Sequence, residues 1–400
     1  MSSSVCAASR NSNEGVRAGI FDIRRLTIIA IFALHGAIVG SQLSRLAEIQ
    51  AAIGLAKDQF GIALIGVPAG AICGSRLVGR FLERAGVRLV LLLGIPYFAA
   101  ALTLLPFAFN TLSLFGCLLL LGLGLSGVNV TMNVEADRIE AATGARLMNR
   151  CHAIWAVGFL CASLGGTAAV AAGLSPSMHF VSILLVSVGA TVFIVLPMRP
   201  SPAREHHGGV KAKRFAAPTI GVLLILGFAV SGIVLEGSSR NWSIIYLRDD
   251  FAASDWVATL ALPSFVMWQM IGRFAADGLI DRFGPVAVAR ALAALSLLGL
   301  AMVAMAHSIA LALIGFAFIG FGVSTTHPQA ISAAAQLGDR PSSLNVAALS
   351  TAQIAIGFFA PPAFGLIAAG VGIRLSFLLI APLPIIAIFF ARYLAPARRP

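Results

Sequence analysis

The chain has 400 residues, of which 58% are hydrophobic and 11% are charged, and its formal net charge is +12. Soluble domains carry roughly a quarter charged residues, so this composition excludes an ordinary soluble domain. The distribution of the basic residues, described below, argues against nucleic-acid binding, and no groove-binding motif accompanies the positive charge.

Apolar runs of about 20 residues, the length that crosses a bilayer as a helix, follow one another along the chain. They predict twelve membrane-spanning helices, which we call spans 1 to 12: 26–44, 59–80, 87–107, 111–134, 151–172, 177–197, 218–239, 255–275, 287–306, 309–334, 346–369 and 375–395. Helices satisfy their own backbone hydrogen bonds, which lipid cannot do. The predicted fold class is therefore an all-α membrane protein.

Polar segments divide the spans into two sets of six. Residues 1–25 are expected to form an unstructured cytoplasmic leader, and residues 396–400 a cytoplasmic tail. The segment 198–217 contains prolines, glycines and basic residues, which are typical of a flexible linker. It separates an N-terminal six-helix lobe, 26–197, from a C-terminal six-helix lobe, 218–395.

The distribution of basic residues predicts the orientation. If the N-terminus is cytoplasmic, five of the 28 Lys and Arg residues fall on the outer side: Arg45, Lys57, Arg240, Arg248 and Arg374. Cytoplasmic loops are enriched in Lys and Arg, so both termini are predicted to be cytoplasmic. The predicted location is the cytoplasmic membrane of a bacterium.

The two halves of the chain resemble each other at a spacing of 198 residues. Residues 118–126 read LLLLGLGLS and residues 316–324 read FAFIGFGVS, so the glycines and the final serine of the two segments align. At the same spacing Gly86 aligns with Gly284. A duplicated apolar half-chain is typical of a two-lobed transporter.

Two loops carry a further matched motif, Gly79-x-x-x-Glu83-Arg84-x-Gly86-x-Arg88 between spans 2 and 3 and Asp277-x-x-x-Asp281-Arg282-x-Gly284 between spans 8 and 9. Each resembles the signature loop of the major facilitator superfamily (MFS), which that family has in both halves. The resemblance implies the MFS fold. It also predicts a conformational latch, in which these charges pair across the cytoplasmic helix ends in one state and separate in the other. Charges that only set the topology are the alternative.

A narrower resemblance rests on VTMNVE at 130–135, on His152 followed by Gly158, and on EGS-x-x-x-W at 236–242. These segments are similar to a bacterial branch near the fucose permease group of sugar–proton symporters. Two positions depart from that group, since Asn129 stands where an acid is frequent and Gln42 where Trp is frequent. The identity of the solute therefore stays open.

Ionisable residues within a span indicate a wet cavity, because burying one in lipid costs at least ~2.5 kcal/mol. Glu236 lies late in span 7, with Arg240 one helical turn further on. Two interpretations are open: a proton-accepting carboxylate in the outer half of the cavity, or a permanent ion pair that anchors the helix. His327 is the second candidate for proton coupling.

Polar residues of spans 4 and 10 indicate a substrate site. Asn129 and Asn133 lie on one face of span 4, and the repeat aligns Asn129 with His327 in span 10. Transporters bind substrate where such repeat-related groups meet, although hydrogen bonds between helices are the alternative. Trp155 either stacks on a sugar or belongs to an interfacial aromatic belt. The candidate substrate-binding residues are Asn129, Asn133, His327, Thr326, Gln329, Gln42, Trp155 and Gln353.

The sequence predicts a secondary active transporter that moves a small polar solute, such as a sugar, by alternating access with proton coupling. It is expected to act as a monomer in the lipid bilayer, without a cofactor or a metal. Export of a metabolite or drug is one alternative, and a non-transporting receptor or assembly factor with the same fold is another. No phosphate-binding loop or nucleophile elbow indicates an enzyme.

Overall fold

The computed structural model describes the backbone of residues 3–144, 146–202 and 217–395, and within these ranges the side chains from residue 23 onward. The helices of the first half are Ser3–Ile53, Lys57–Leu64, Gly66–Leu102, Thr111–Thr143, Met148–Ala171 and Pro176–Ala190, the last continued by a π-helix, Thr191–Val195. Those of the second half are Ile220–Phe251, Asp255–Thr259, Ala261–Phe283, Pro285–Ala304, Ile309–Val323, Thr326–Ala335, Ser342–Val371, Ile373–Leu379 and Pro382–Phe390. Short 3-10 turns occupy Leu105–Phe107 and Ala391–Leu394.

Within the described ranges, ten helical segments are long and apolar enough to cross a membrane. One of them, Lys57–Phe107, is broken at Gly86, whose φ of 74° and ψ of 163° are not helical, and it therefore contains both span 2 and span 3. Span 8, Ala261–Phe283, has the length of a crossing helix but carries charged residues in its second half. The segments are thus consistent with the twelve predicted spans.

Several predicted helix boundaries are wrong, including the ends of span 4, which continues to Thr143, and of span 8, which continues to Phe283. The first helix begins at Ser3, not after an unstructured leader, and no proline interrupts the chain before its end at Ile53. Span 7 likewise continues beyond residue 239 to Phe251. Most of the predicted linker, 203–216, and the tail 396–400 lie outside the described residues.

The longer helices place two supposed outer-loop arginines inside the bundle. Arg240 lies in the middle of span 7, and Arg45 lies two turns before the end of span 1. Arg45 is fully buried, with its Nε 3.0 Å from a carboxylate oxygen of Glu48 and its Nη2 donating to the carbonyl of Leu174 at 2.5 Å. Both arginines are therefore parts of the packed structure and not markers of topology.

The two halves pack in the same way at residues 198 positions apart. A Cβ atom on Gly122 would lie 2.2 Å from the carbonyl oxygen of Val67, and one on Gly320 would lie 2.2 Å from that of Phe265. Only glycine allows these backbones to approach so closely. The matched contact holds span 4 against span 2 in one lobe and span 10 against span 8 in the other.

The signature loops repeat the same geometry. Gly86 has φ 74° and ψ 163°, and Gly284 has φ 79° and ψ 157°, so both turns use a backbone conformation that favours glycine. The expected pseudo-symmetric pair of six-helix lobes is therefore confirmed in the packing of helices and in the turns between them.

Replacing Gly122 with Ala should destabilise the protein, because the added methyl group collides with the Val67 carbonyl. We expect a loss of about 1–3 kcal/mol, typical of overpacking, and a lower melting temperature of the purified protein. Gly116→Ala is the matched control, since it lies in the same helix and a Cβ there meets nothing within 4 Å. Equal melting temperatures for the two variants would contradict the close backbone contact.

Candidate functional site

A cavity of about 680 Å³ lies between the two lobes in the middle of the bundle. Spans 1, 2 and 4 of the first lobe and spans 7, 8, 10 and 11 of the second contribute to its wall. This volume is within the range of pockets that bind small molecules. We call it the central cavity.

Close contacts between the lobes close the central cavity at one end, which we call the sealed end. A Cβ atom on Gly365 of span 11 would lie 2.6 Å from the carbonyl oxygen of Lys57, where span 2 begins. The ring of Trp242 packs between those of Phe60 and Phe364, with centroids 5.4 Å apart in both pairs. Backbone and aromatic contacts together bring the two lobes into direct contact at this end.

Polar contacts across the lobes strengthen the sealed end. The Nζ of Lys57 lies 2.8 Å from a carboxylate oxygen of Asp249 at the end of span 7. The neighbouring Arg248 donates to the carbonyl of Ala47 at 2.8 Å and to the side chain of Gln50 at 2.9 Å, both in span 1. The end of span 7 is thereby joined to the first lobe at three points.

The opposite end, which holds Gly86, Gly284, the end of span 6 and the start of span 7, is called the linker end. Exposure of the cavity wall rises toward it. Leu64 and Gln42, near the seal, are 4% and 3% exposed, whereas Ser75 of span 2 and Arg273 of span 8 are exposed. Solvent therefore reaches the central cavity from the linker end.

An ion pair lies in the wall of the central cavity. The Nη2 of Arg240 is 2.6 Å from Oε1 of Glu236, one turn earlier in span 7, and it also donates to Oε1 of Gln269 at 3.0 Å. The guanidinium lies 5.3 Å from the centre of the Phe159 ring in span 5, so Arg240 also contacts the other lobe. About a quarter of the Glu236 side chain and a fifth of that of Arg240 remain exposed. The cavity supplies the water that unburied parts of these charges require.

Much of the wall consists of residues related by the 198-residue repeat. The pairs are Val39 and Gly237, Gln42 and Arg240, Leu43 and Asn241, Ser75 and Arg273, and Leu125 and Val323. In each pair the member from the first lobe is uncharged. The two lobes therefore present equivalent positions to one cavity, and its formal charges come from the second lobe.

Five predicted site residues line the central cavity: Gln42, Glu236, Arg240, Thr326 and His327. They come from spans 1, 7 and 10, which are distant in sequence. The longer span 7 puts Glu236 near the middle of its helix, which corrects the predicted position late in the span. The structure thus brings the predicted proton-coupling groups and part of the predicted substrate set together.

Asn129 and Asn133 are not among the residues that line the cavity. The amide nitrogen of Asn133 donates to the backbone carbonyl of Asn129 at 2.8 Å and to its side chain at 3.1 Å. In span 4 the wall is formed instead by Leu125 and Ser126, one turn closer to the seal. In this conformation the two asparagines bond to each other within their own helix.

Three further predicted residues also lie away from the cavity wall. Trp155 donates from its ring nitrogen to Nδ1 of His35 at 2.8 Å, a contact within the first lobe. Gln329 donates to the hydroxyl of Thr325 at 2.9 Å within span 10. Gln353 is 7% exposed, and its amide atoms have no hydrogen-bond partner in the described part of the chain.

The predicted latch is not engaged in this conformation. Gly79 of the first loop and Asp277 of the second are equivalent in the repeat and are exposed, as are the signature charges Glu83, Arg84, Asp281 and Arg282. Across the ranges that the structure describes, none of these four charges forms an ion pair within 4 Å. Arg88 instead donates to the backbone carbonyl of Leu196, at the end of span 6.

Four polar residues of the wall are not among the predicted site residues: Ser75, Ser126, Asn241 and Arg273. The signal for Arg273 was present, because it is an ionisable residue inside predicted span 8 and its repeat equivalent, Ser75, also lies inside a span. Asn241 falls outside predicted span 7, which was assigned too short. In the described residues, no group of three or more His, Cys, Asp or Glu side chains could hold a metal ion.

Comparisons with known proteins agree with this architecture. The family model described as Major Facilitator Superfamily matches residues 27–359. The uncharacterized transporter y4wD of Sinorhizobium fredii is 28% identical over 359 residues, which cover 88% of this chain and 93% of that protein.

Solved structures show the same fold at low sequence identity. A D-xylose–proton symporter has a TM-score of 0.72 at 12% identity, over 93% of this chain and 98% of that one. The transporter FucP in its outward conformation has a TM-score of 0.63 at 17% identity, over 94% of this chain and all of that one. The family match, together with the paired lobes around one cavity, shows that the chain is a multi-pass membrane transporter and belongs to the major facilitator superfamily.

Proposed function

We propose that the protein moves a small polar solute, such as a sugar, across the bacterial cytoplasmic membrane by alternating access, as a proton-coupled monomer in the bilayer. The observation that carries this proposal is the Glu236–Arg240 ion pair in the wall of a cavity that is closed at one end and open at the other. The linker end is taken as cytoplasmic, in line with its Lys and Arg content.

Alternating access requires that the sealed end can open while the linker end closes. The seal consists of contacts between rigid lobes, namely glycine backbone at Gly365, the aromatic contact of Trp242 and the Lys57–Asp249 pair. Such contacts can separate when one lobe rocks against the other. The exposed carboxylates of Glu83 and Asp281 are then available to pair with basic side chains at the linker end, as the latch hypothesis expects.

Proton coupling requires a group whose charge alters the cavity. Protonation of Glu236 removes the negative partner of Arg240 and frees that guanidinium for other contacts. Arg240 also touches Phe159 of the first lobe, so a change in its partners acts on the contact between the lobes. His327 lies in the same wall and is the second candidate carrier.

Polar side chains in the wall suit a hydroxylated solute. Gln42 and Asn241 offer amide donors and acceptors, Thr326 a hydroxyl, and His327 an imidazole. These groups come from both lobes, so a solute bound between them contacts both and can couple their movement.

A second candidate function is supported by the apolar part of the wall. Leu43, Val67, Ile72, Ile233 and Ile354 also line the cavity. This surface suits an amphipathic metabolite or drug, which a transporter of this fold can export in exchange for protons. The direction of proton movement distinguishes this candidate from uptake by symport.

Proton coupling can be tested by adding sugars and polyols in turn to de-energised cells that produce the protein. Symport carries protons inward, so we expect the medium to become alkaline with at least one solute. Glu236→Gln should abolish the signal, because the amide cannot take up a proton. Glu48→Gln is the matched control, since Glu48 pairs with Arg45 and does not line the cavity.

Two results would contradict proton symport through Glu236. Alkalinisation that persists in Glu236→Gln would make this carboxylate structural. Acidification of the medium in place of alkalinisation would favour the exchange of solute against protons, and with it the export candidate.

Alternating access can be tested at Gly365. Its replacement by Ala should clash with the Lys57 carbonyl when the seal is closed and be harmless when the lobes separate, so the outward-open state should gain population. The readout is labelling of Gln42→Cys, in a variant without other cysteines, by a membrane-impermeant maleimide applied to intact cells. We expect a several-fold higher labelling rate in Gly365→Ala.

Gly370→Ala is the control for this experiment. It lies in the same helix, and a Cβ there meets nothing within 4 Å. Labelling that is equally slow in Gly365→Ala and Gly370→Ala would contradict an opening of the sealed end.

A further inference from the structure

We infer that the transported solute carries an anionic group, a carboxylate or a phosphate, and that Arg273 binds it. This inference rests on the proposed function, because it names the substrate class of the same central cavity. Its basis is the charge of the wall, the lack of an acidic partner for Arg273, and the neutral residue at the equivalent position of the first lobe.

The wall of the central cavity carries an excess of positive charge. Three residues with full formal charges line it in the described part of the chain: Glu236, Arg240 and Arg273. Glu236 and Arg240 neutralise each other at 2.6 Å. Arg273 is left as the uncompensated charge of the wall.

Arg273 has no carboxylate partner among the described residues within 4 Å. Its contact within the protein is a long hydrogen bond, 3.4 Å from Nε to the backbone carbonyl of Ser324. The side chain is exposed on the cavity wall, so its remaining donors are available. A planar guanidinium with free donors matches the two oxygens of a carboxylate or phosphate.

The fold does not require a cation at this position. Gly74 and Gly272, which precede Ser75 and Arg273, both approach a backbone carbonyl of the facing helix, at 2.6 Å from Leu123 and 3.1 Å from Phe321 for an added Cβ. Both positions therefore lie close to the facing helix, although at Gly272 the nearest atom is the Ser324 hydroxyl at 2.4 Å, and the first lobe makes its close contact beside a serine. Because packing does not require an arginine at this position in the cavity wall, we attribute Arg273 to the binding of the substrate.

The first test measures binding to the purified full-length protein by thermal stabilisation with three probes: D-glucuronate, D-glucose 6-phosphate and D-glucose. We expect an anionic probe to raise the melting temperature more than glucose does. Arg273→Gln should weaken the apparent affinity for that probe by about tenfold or more, and Arg273→Lys, which keeps the charge, should retain most of it. The probe that binds distinguishes a carboxylate from a phosphate.

A second test needs no solute and uses Ser75→Cys in a variant without other cysteines. Anionic and cationic methanethiosulfonate reagents react with this thiol in detergent solution, and the ratio of their rates reports the local potential. We expect the ratio of anionic to cationic rate to fall at least about threefold on adding Arg273→Gln, as the loss of a nearby charge requires, and to stay high with Arg273→Lys. If none of the three sugars binds, the ratio of these rates alone tests whether Arg273 makes the cavity attractive to anions.

An unchanged rate ratio in Arg273→Gln, or a preference for the cationic reagent in its parent, would overturn the inference. Stabilisation by glucose alone would also overturn it, while leaving transport of a neutral solute intact. Conversely, an anionic probe that binds through Arg273 but moves no protons in cells would support the inference and contradict proton-coupled transport. The two proposals can therefore fail separately.

Discussion

The cost of placing charge in the middle of a membrane governs the centre of this molecule. Two arginines inside the bundle meet that cost in different ways. Arg45 is fully enclosed in the first lobe, where it pairs with Glu48 and donates to the Leu174 carbonyl. Arg240 pairs with Glu236 at the wall of the central cavity, where water reaches both. The first pair serves the packing of one lobe, whereas the second lies where a solute or a proton can reach it.

Close packing within the lobes and looser packing between them complement this arrangement. Inside each lobe, glycines such as Gly122 and Gly320 bring helix backbones together at positions related by the repeat. Between the lobes, close contact is concentrated at the sealed end, around Gly365 and Trp242. Two stiff bodies that meet along one end of a shared cavity have the mechanical form that rocking requires. At equivalent positions of the cavity wall the first lobe is neutral where the second is charged, and among these charges Arg273 is the one that we have proposed to bind the solute.

Much of the architecture could be predicted from the sequence, because apolar runs of bilayer length and a 198-residue repeat are one-dimensional signals. Helix ends were less predictable. The polar residues after 44 and after 239 are typical of loops, but these segments contain no proline, and the helices continue through them to Ile53 and Phe251. Side-chain partners were least predictable. Asn129 and Asn133 lie on one face of span 4 as expected, but bond to each other, and Trp155 bonds to His35. Such choices depend on neighbours from distant parts of the chain, which a repeat does not reveal.

Alternating access is the central claim, and distances between the lobes at both ends test it most directly. Spin labels on Arg84→Cys and Arg282→Cys would report the linker end, and labels on Asn110→Cys and His307→Cys the sealed end, each pair in a variant without other cysteines. Pulsed electron paramagnetic resonance at acidic and alkaline pH should show two distance populations for each pair. The account predicts that the linker-end distance shortens as the sealed-end distance lengthens. A single fixed distance for both pairs at every pH would contradict it.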